Sequence, residues 1–354
     1  MRLHQIPPTY RGHGIKIALI DSGVDITHPD LKDTVDTGYD FTRLSGERTW
    51  HTNATGHGTW CAGIIAAADN RTGITAEAEL HALKLFPGGH VSDLLEALDY
   101  CITHGIDIAQ LNLAYLLPSQ LVAFKLLDAH AAGTALIAPA GDTAGLLTQP
   151  AALPHVLAVG ALAQTGTQPT ASPAVLQPPW PGPYPAPFTA TGPGVDLAAP
   201  GTAIITTAPG GGYTPTDGTA IAAAHITGLA ALLLAHHDHL RTHAMPRTPT
   251  RTSQLYMLLR TACRRFPELT RAVPAPVSPT LSQRPPCSPP CAYPSRREHR
   301  PRRPPIAPRP SPATTISTPF GTAAEAPTAT RPPTNAPPSL CPSTTRIPAV
   351  APWL

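Results

Sequence analysis

Residues 15–23 read IKIALIDSG. The apolar run Ile15–Ile20 has the pattern of a buried strand, and Asp21-Ser22-Gly23 follows at its C-terminal end. Further short apolar runs lie at residues 108–114 (IAQLNLA), 135–140 (ALIAPA) and 156–162 (VLAVGAL). Between them come helix-length patterns. In DLLEALDYCITHG, Leu94, Leu95, Leu98 and Ile102 recur at helical spacing behind Ser92, which reads as an N-cap, and a long apolar helix begins near Thr219 and runs towards His236. Strands that alternate with helices predict an α/β domain with a mostly parallel sheet covered by helices.

The chain of 354 residues divides by composition. Residues 272–354 hold 23 of the 46 prolines, 9 arginines, no lysine, 2 acids and one glycine, and only 10 of these 83 residues are Leu, Ile, Val, Phe or Met. Such a stretch buries too little apolar surface to offset its ordering entropy, so it is expected to be a disordered Pro/Arg-rich tail. Residues 1–271 form the expected domain. They carry 16 basic and 20 acidic residues, a net charge of −4, which does not describe a phosphate-binding surface. The tail run Arg296, Arg297, Arg300, Arg302, Arg303 reads as solvated, so no nucleic-acid partner is expected.

Nine prolines between residues 168 and 193 mark a surface insertion, about residues 164–190, after which sheet-like sequence resumes. The six cysteines follow no disulfide framework. The start MRLHQIPPTYRGHG has no apolar signal core, and the longest apolar stretch, residues 220–235, contains His225, Thr227 and Gly228 and falls short of a bilayer span. The expectation is a monomer without membrane attachment, cytoplasmic as the chain stands.

Three elements offer chemistry. Asp21 ends a buried strand, where backbone donors can hold a carboxylate ionised. A second copy of its pattern, Asp36-Thr37-Gly38, raises a carboxylate dyad, but two acids 15 residues apart cannot come from the two lobes or chains that a shared-proton pair needs. Gly56-His57-Gly58-Thr59 leads into the small-residue helix pattern WCAGIIAAA, and a His at a helix start can be oriented through one ring nitrogen by a carboxylate. Asp21 and His57 together suit an orienting acid and a general base. The third element is Asp217–His225, DGTAIAAAH, at the head of the long apolar helix.

The motifs ALIDSGVDITHPDL, GHGTWCAG, GTALIAPAGD, VDLAAPG and DGTAIAAAH resemble, in order and spacing, those of the subtilases, the subtilisin-like serine proteases, from about Gly14 to Cys263. The resemblance implies a three-layer α/β/α fold and peptide-bond hydrolysis through an acyl-enzyme. It gives Asp21 the place of the triad acid and His57 that of the base. It puts Ala220 where the family has its nucleophilic serine, Asp142 where it has the asparagine that donates to the oxyanion, and Ala224 where it has a proline. It assigns Asn112, Leu113 and Ala114, with Ala140 and Gly141, to the substrate-binding walls, and a polypeptide as substrate or ligand.

An ionised Asp142 only accepts hydrogen bonds and repels a developing negative charge. Removing a subtilisin nucleophile lowers turnover by about 2 × 10⁶, and losing one oxyanion donor costs about 10² to 10³. The implied protein is therefore catalytically inactive or severely impaired. Two alternatives stand beside it: an active serine-type endopeptidase using a substitute group, and a peptide-binding pseudoprotease that holds an extended segment by strand addition. The substitutes are Thr219, set about 100° round the helix from Ala220, and Cys61, one turn past His57 and expected to face the core.

No metal site is assigned. Asp40 in GYDF resembles a family calcium ligand, but the loop at residues 67–73 is short for companion ligands, so structural calcium rests on the resemblance alone. His239 and His243 have the i, i+4 spacing of zinc ligands, yet with His236 and His237 they read as a solvated helix end.

Overall fold

The computed structural model describes residues 5–263 except 36, 43–48, 53–54, 69–72, 116–117, 167–181 and 242–243. The expected tail, most of the Pro-rich insertion, Asp36, His243 and most of the loop at 67–73 thus lie outside the described residues. All described residues fall in one compact unit.

The sheet is built from β1 (Lys16–Asp21), β2 (Thr37–Asp40), β3 (Glu79–Lys84), β4 (Ile108–Leu111), β5 (Ala135–Pro139), β6 (Val156–Gln164), β7 (Pro183–Pro185) and β8 (Leu197–Pro200). Its order is β2-β3-β1-β4-β5-β6-β7, with β8 also on β6, and every pairing is parallel except β6 with β7. A separate antiparallel hairpin joins β9 (Ile204–Ala208) to β10 (Gly212–Thr216).

Alternation along the strands sorts the side chains into two cores. Ile17 and Leu19 face one cluster, which includes residues of α1 (His57–Ala66) and α4 (Thr219–His236), with Leu255 and Leu259 of α5 (Pro249–Thr261) behind them. Ala18 and Ile20 face the other, filled by Leu94 and Leu98 of α2 (Val91–Thr103) and by Val122 and Leu126 of α3 (Gln120–Ala131). Helices on both faces of a mostly parallel sheet give the expected three-layer α/β/α fold.

The helix α4 is apolar all round because it is interior. Among the described residues it is the one helix long and apolar enough to cross a membrane, and 89% of it is buried inside the fold. A Cβ on Gly228 would lie 2.7 Å from the Cβ of Ile74, so glycine there lets the segment after α1 lie against α4.

Several boundaries differ from the sequence pattern. Ser92 does not cap α2: the helix starts at Val91, and the buried Asp93 reaches back to accept from the His90 N–H at 2.8 Å, while the Ser92 hydroxyl donates to the same carboxylate. The run at 108–114 leaves the sheet after Leu111, since pairing with β1 ends at Ile20 opposite Leu111. Around the Pro-rich insertion, Thr165 N–H donates to the Gly182 carbonyl at 3.3 Å, so the chain leaving β6 comes back to the same edge.

Candidate active site

Asp21 is carried to the site by β1, which is flanked by β3 and β4 and ends at the C-terminal edge of the parallel sheet. Its carboxylate is 2% exposed and has a full set of donors. Oδ1 accepts from the Ser22 N–H at 2.6 Å and the Ser22 hydroxyl at 2.9 Å, and Oδ2 accepts from Asn112 Nδ2 at 2.7 Å. The same Oδ2 lies 2.8 Å from His57 Nδ1.

His57 is the first residue of α1, after Gly56 at φ 81°. The glycine behind it is sterically required. A Cβ on Gly58 would lie 2.1 Å from the Gly23 carbonyl oxygen and 3.3 Å from the Asp21 Cβ, so only glycine lets α1 come down onto the end of β1. With Nδ1 turned to Asp21, the ring is 37% exposed and its Nε2 is left as the base nitrogen. Burial opposes its charge, yet the negative Asp21, its hydrogen bond and the more distant Asp142 outweigh that, so the pKa of His57 lies above the ordinary imidazole value.

The third segment is the head of α4. Gly218 is its N-cap, and the Thr219 N–H donates to Asp142 Oδ1 at 2.8 Å. Thr219 Oγ1 accepts from the Gly141 N–H at 3.2 Å. The side chain of Ala220 is a methyl, and its carbonyl accepts from Gln110 Nε2 at 3.1 Å. Cys61 ties the three segments together: its sulfur lies within 4.8 Å of the Asp21 and His57 ligand atoms and 3.9 Å from the Ala220 carbonyl oxygen.

Asp21 and His57 are paired directly, Asp142 bonds the head of α4 next to Ala220, and Cys61 bridges the two groups. The residues assigned to the substrate walls divide. Ala114 is exposed and Leu113 and Gly141 are half-buried, whereas Asn112 is buried behind Asp21 and Ala140 is enclosed with Ala190 and Val195. Asn112 therefore supports the acid instead of lining a groove. Sequence reasoning missed Gln110, which is fully buried and donates to Asn112 Oδ1 at 2.9 Å as well as to Ala220. Its signal was a lone amide inside an apolar strand, placed by the two-residue alternation on the same face as Asn112.

The metal readings fare differently. Asp40 does not fit calcium: Oδ1 accepts from the N–H and hydroxyl of Thr42, Oδ2 from those of Thr49, and the Lys84 ammonium stands 3.6 Å away. Every lone pair is committed, and a cation already neutralises the charge. Asp21, His57 and Cys61 place one ligand atom each within 4.8 Å of one another, but His57 Nδ1 is engaged with Asp21, and the Cys61 thiol is fully buried. Full burial and the adjacent Asp21 charge push that thiol's pKa well above its usual value, against the opposing Asn112 bond.

The model of the Subtilase family matches residues 12–276. Subtilisin DY of Bacillus licheniformis is 31% identical over 244 residues, covering 65% of this chain and 80% of that protein. Subtilisin Savinase of Lederbergia lenta is 32% identical over 229 residues, 63% of this chain and 77% of the relative. M-protease of Shouchella clausii is also 32% identical over 229 residues, which span only 54% of its length. Among solved structures, Sphericase superposes with a TM-score of 0.59 at 26% identity, covering 73% of this chain and 86% of that one. S41 Psychrophilic Protease gives 0.58 at 28% identity, covering 71% and 83%.

Proposed function

The chain belongs to the subtilase family, and from that premise we propose that it is a subtilisin-like serine peptidase homologue that keeps the acid and base of the triad but has no nucleophile. The observation that carries this reading is the pairing of His57 with Asp21 at 2.8 Å beside a helix head whose residue 220 is alanine. In the intact reaction the base takes the nucleophile's proton as the acyl bond forms and returns it to the leaving amine. Here His57 can do its part, but the Ala220 methyl has no proton to give and no lone pair to attack with.

No neighbouring group supports a substitute route. Cys61 is fully buried with its thiol held protonated, so the thiolate that would attack is not available. Thr219 Oγ1 accepts from the Gly141 N–H, and no hydrogen bond joins it to His57, the base that would activate it. The Ser22 hydroxyl donates to Asp21 and accepts from the Gly58 N–H at 3.2 Å. The oxyanion side is also altered, since Asp142 accepts a hydrogen bond from the helix head and has no donor to offer.

A peptide-binding role is favoured by the exposure of Ala114 and the partial exposure of Leu113 and Gly141, the residues assigned to the substrate walls. The Gly141 N–H and carbonyl and the Leu113 N–H are already bonded within the fold, so an extended peptide laid there without being cut would take its main-chain hydrogen bonds from Ala114. The partner in this reading is a polypeptide. The test is a matched peptidase assay on the native chain and on Ala220→Ser with a broad peptide library. Turnover confined to Ala220→Ser supports the proposal, while turnover by the native chain that disappears in His57→Ala contradicts it.

A further inference from the structure

The head of a helix carries about half a positive charge and a set of unpaired N–H groups, which makes it an anion-binding end. At the head of α4 that end is filled from within. The Thr219 N–H donates to Asp142 Oδ1 at 2.8 Å, and Oδ2 of the same carboxylate lies 3.5 Å from where a Cβ on Gly218 would stand, a point 3.9 Å from the Ala220 nitrogen. The carboxylate therefore lies over the first turn. The Gly141 N–H, a neighbouring backbone donor, is committed to Thr219 Oγ1 at 3.2 Å. Asp142 is otherwise exposed, and its charge reaches His57, whose protonated form it favours.

We propose that Asp142 is a specificity-determining residue: it occupies the anion-binding end of α4 itself, so the cleft refuses a ligand carboxylate and accepts a peptide whose chain runs on through the site or ends in an amide. As ligand selection this rests on the peptide-binding reading above; the closing of the helix head by Asp142 does not. A ligand carboxylate brought to this point meets a like charge at a helix head whose first N–H already donates to Asp142, and like-charge juxtaposition is strongly unfavourable. An uncharged peptide link or a terminal amide meets neither obstacle, and its N–H groups can donate to the second oxygen of Asp142.

The two parts separate experimentally. The full chain, labelled with ¹⁵N-threonine and with the Thr219 amide assigned by its loss in Thr219→Ser, is titrated with sodium acetate at constant ionic strength, with acetamide as the neutral control. The Thr219 resonance of the native chain is expected to stay in place, and that of Asp142→Asn to move saturably with acetate and not with acetamide. A saturable acetate shift in the native chain, or none in both Asp142→Asn and Asp142→Ala with their remaining spectra unchanged, overturns the proposal. The second arm compares peptides of one sequence with free and amidated C-termini. The native chain should prefer the amide by about tenfold or more, near 1.4 kcal/mol, and Asp142→Asn should bind the two forms alike. Equal affinities in the native chain overturn the ligand selection. If no peptide binds in any form, the peptide-binding reading and the selection built on it fall together, while the acetate titration still decides what Asp142 does.

Discussion

The side-chain amide of Asn112 donates at 2.7 Å to the same Asp21 oxygen that holds His57 at 2.8 Å. The acid is thus gripped from behind by β4's continuation and from in front by α1. Its second oxygen is held by Ser22. Hydrogen bonds to a buried charged group are worth about 1.5–3 kcal/mol, so Asn112→Ala should lower unfolding stability by about that much in denaturant titrations. In an Ala220→Ser background the same change should reduce kcat with little effect on KM, because Asn112 positions the acid and does not line the groove.

The ionisation of His57 should follow its two acids. Its pKa stands above the ordinary value because Asp21, with Asp142 adding, overcomes burial. Imidazole resonances of His57 followed against pH should therefore titrate higher than a free His, lower in Asp142→Asn and lower still in Asp21→Asn. The contribution of this group to stability is fully present below the unfolded value and is lost as pH rises through the raised folded one.

His225 works in the opposite sense. It is buried in α4 with Nδ1 donating to the Ile221 carbonyl at 2.9 Å, and burial takes its pKa down to about 4. The unfolded chain binds a proton there that the folded chain does not. Its contribution is present above the ordinary value and is lost as pH falls from there to about 4, with a slope near 1.4 kcal/mol per pH unit in that window. His225→Asn, which keeps a donor for the Ile221 carbonyl, should flatten this part of the stability profile in chemical unfolding at stepped pH.

Much of this could be read from the chain. Continuous apolar runs marked the strands, and the all-round apolar pattern from Thr219 marked a buried helix, because a core helix has no polar face to interrupt it. Asp21 and His57 were legible since each sits in a short motif whose glycines are sterically forced, as Gly58 illustrates. Other features depended on approach in space. Nothing local to Asn112 says that its amide turns under β1 and not out into a groove. The saturation of Asp40 by Thr42, Thr49 and Lys84 involves partners up to 44 positions away, and the capping of α4 by Asp142 spans 77 positions.

Helix α5 is fastened by a buried ion pair. Arg251, 2% exposed, donates to Asp107 at 2.8 Å and to the Leu240 carbonyl at 2.9 Å, linking α5 to the start of β4. Removing one partner of an isolated buried pair costs about 3–5 kcal/mol; here Arg247 Nε also stands 3.7 Å from Asp107, and the Lys16 N–H donates to its other oxygen at 3.1 Å, so the remaining charge is partly compensated. Arg251→Ala should therefore lower stability by less than that full amount in denaturant titrations, and Arg251→Ala with Arg247→Ala by more than either alone. Exchanging Arg251 and Asp107 together for apolar residues should recover part of the Arg251→Ala loss.

Cys61 should behave as a core residue. With no exposed surface and a thiol held protonated, it should resist iodoacetamide until the chain unfolds, while the exposed Cys263 alkylates in the native state. Cys61→Ser should not change labelling of the native chain by any serine- or cysteine-directed reagent. Rapid modification at Cys61 in the folded protein, mapped by peptide mass, would reopen it as a nucleophile.

The central claim is that the site keeps its acid and base and lacks the attacking atom at position 220. A serine-directed phosphonate reports that atom directly, since it bonds to a hydroxyl activated by a neighbouring base and does not need a matched peptide. The account predicts no adduct on the native chain, an adduct at position 220 in Ala220→Ser, and none once His57→Ala is added. Labelling of the native chain, or an Ala220→Ser chain that folds with His57 still titrating high and yet stays unlabelled, would contradict it.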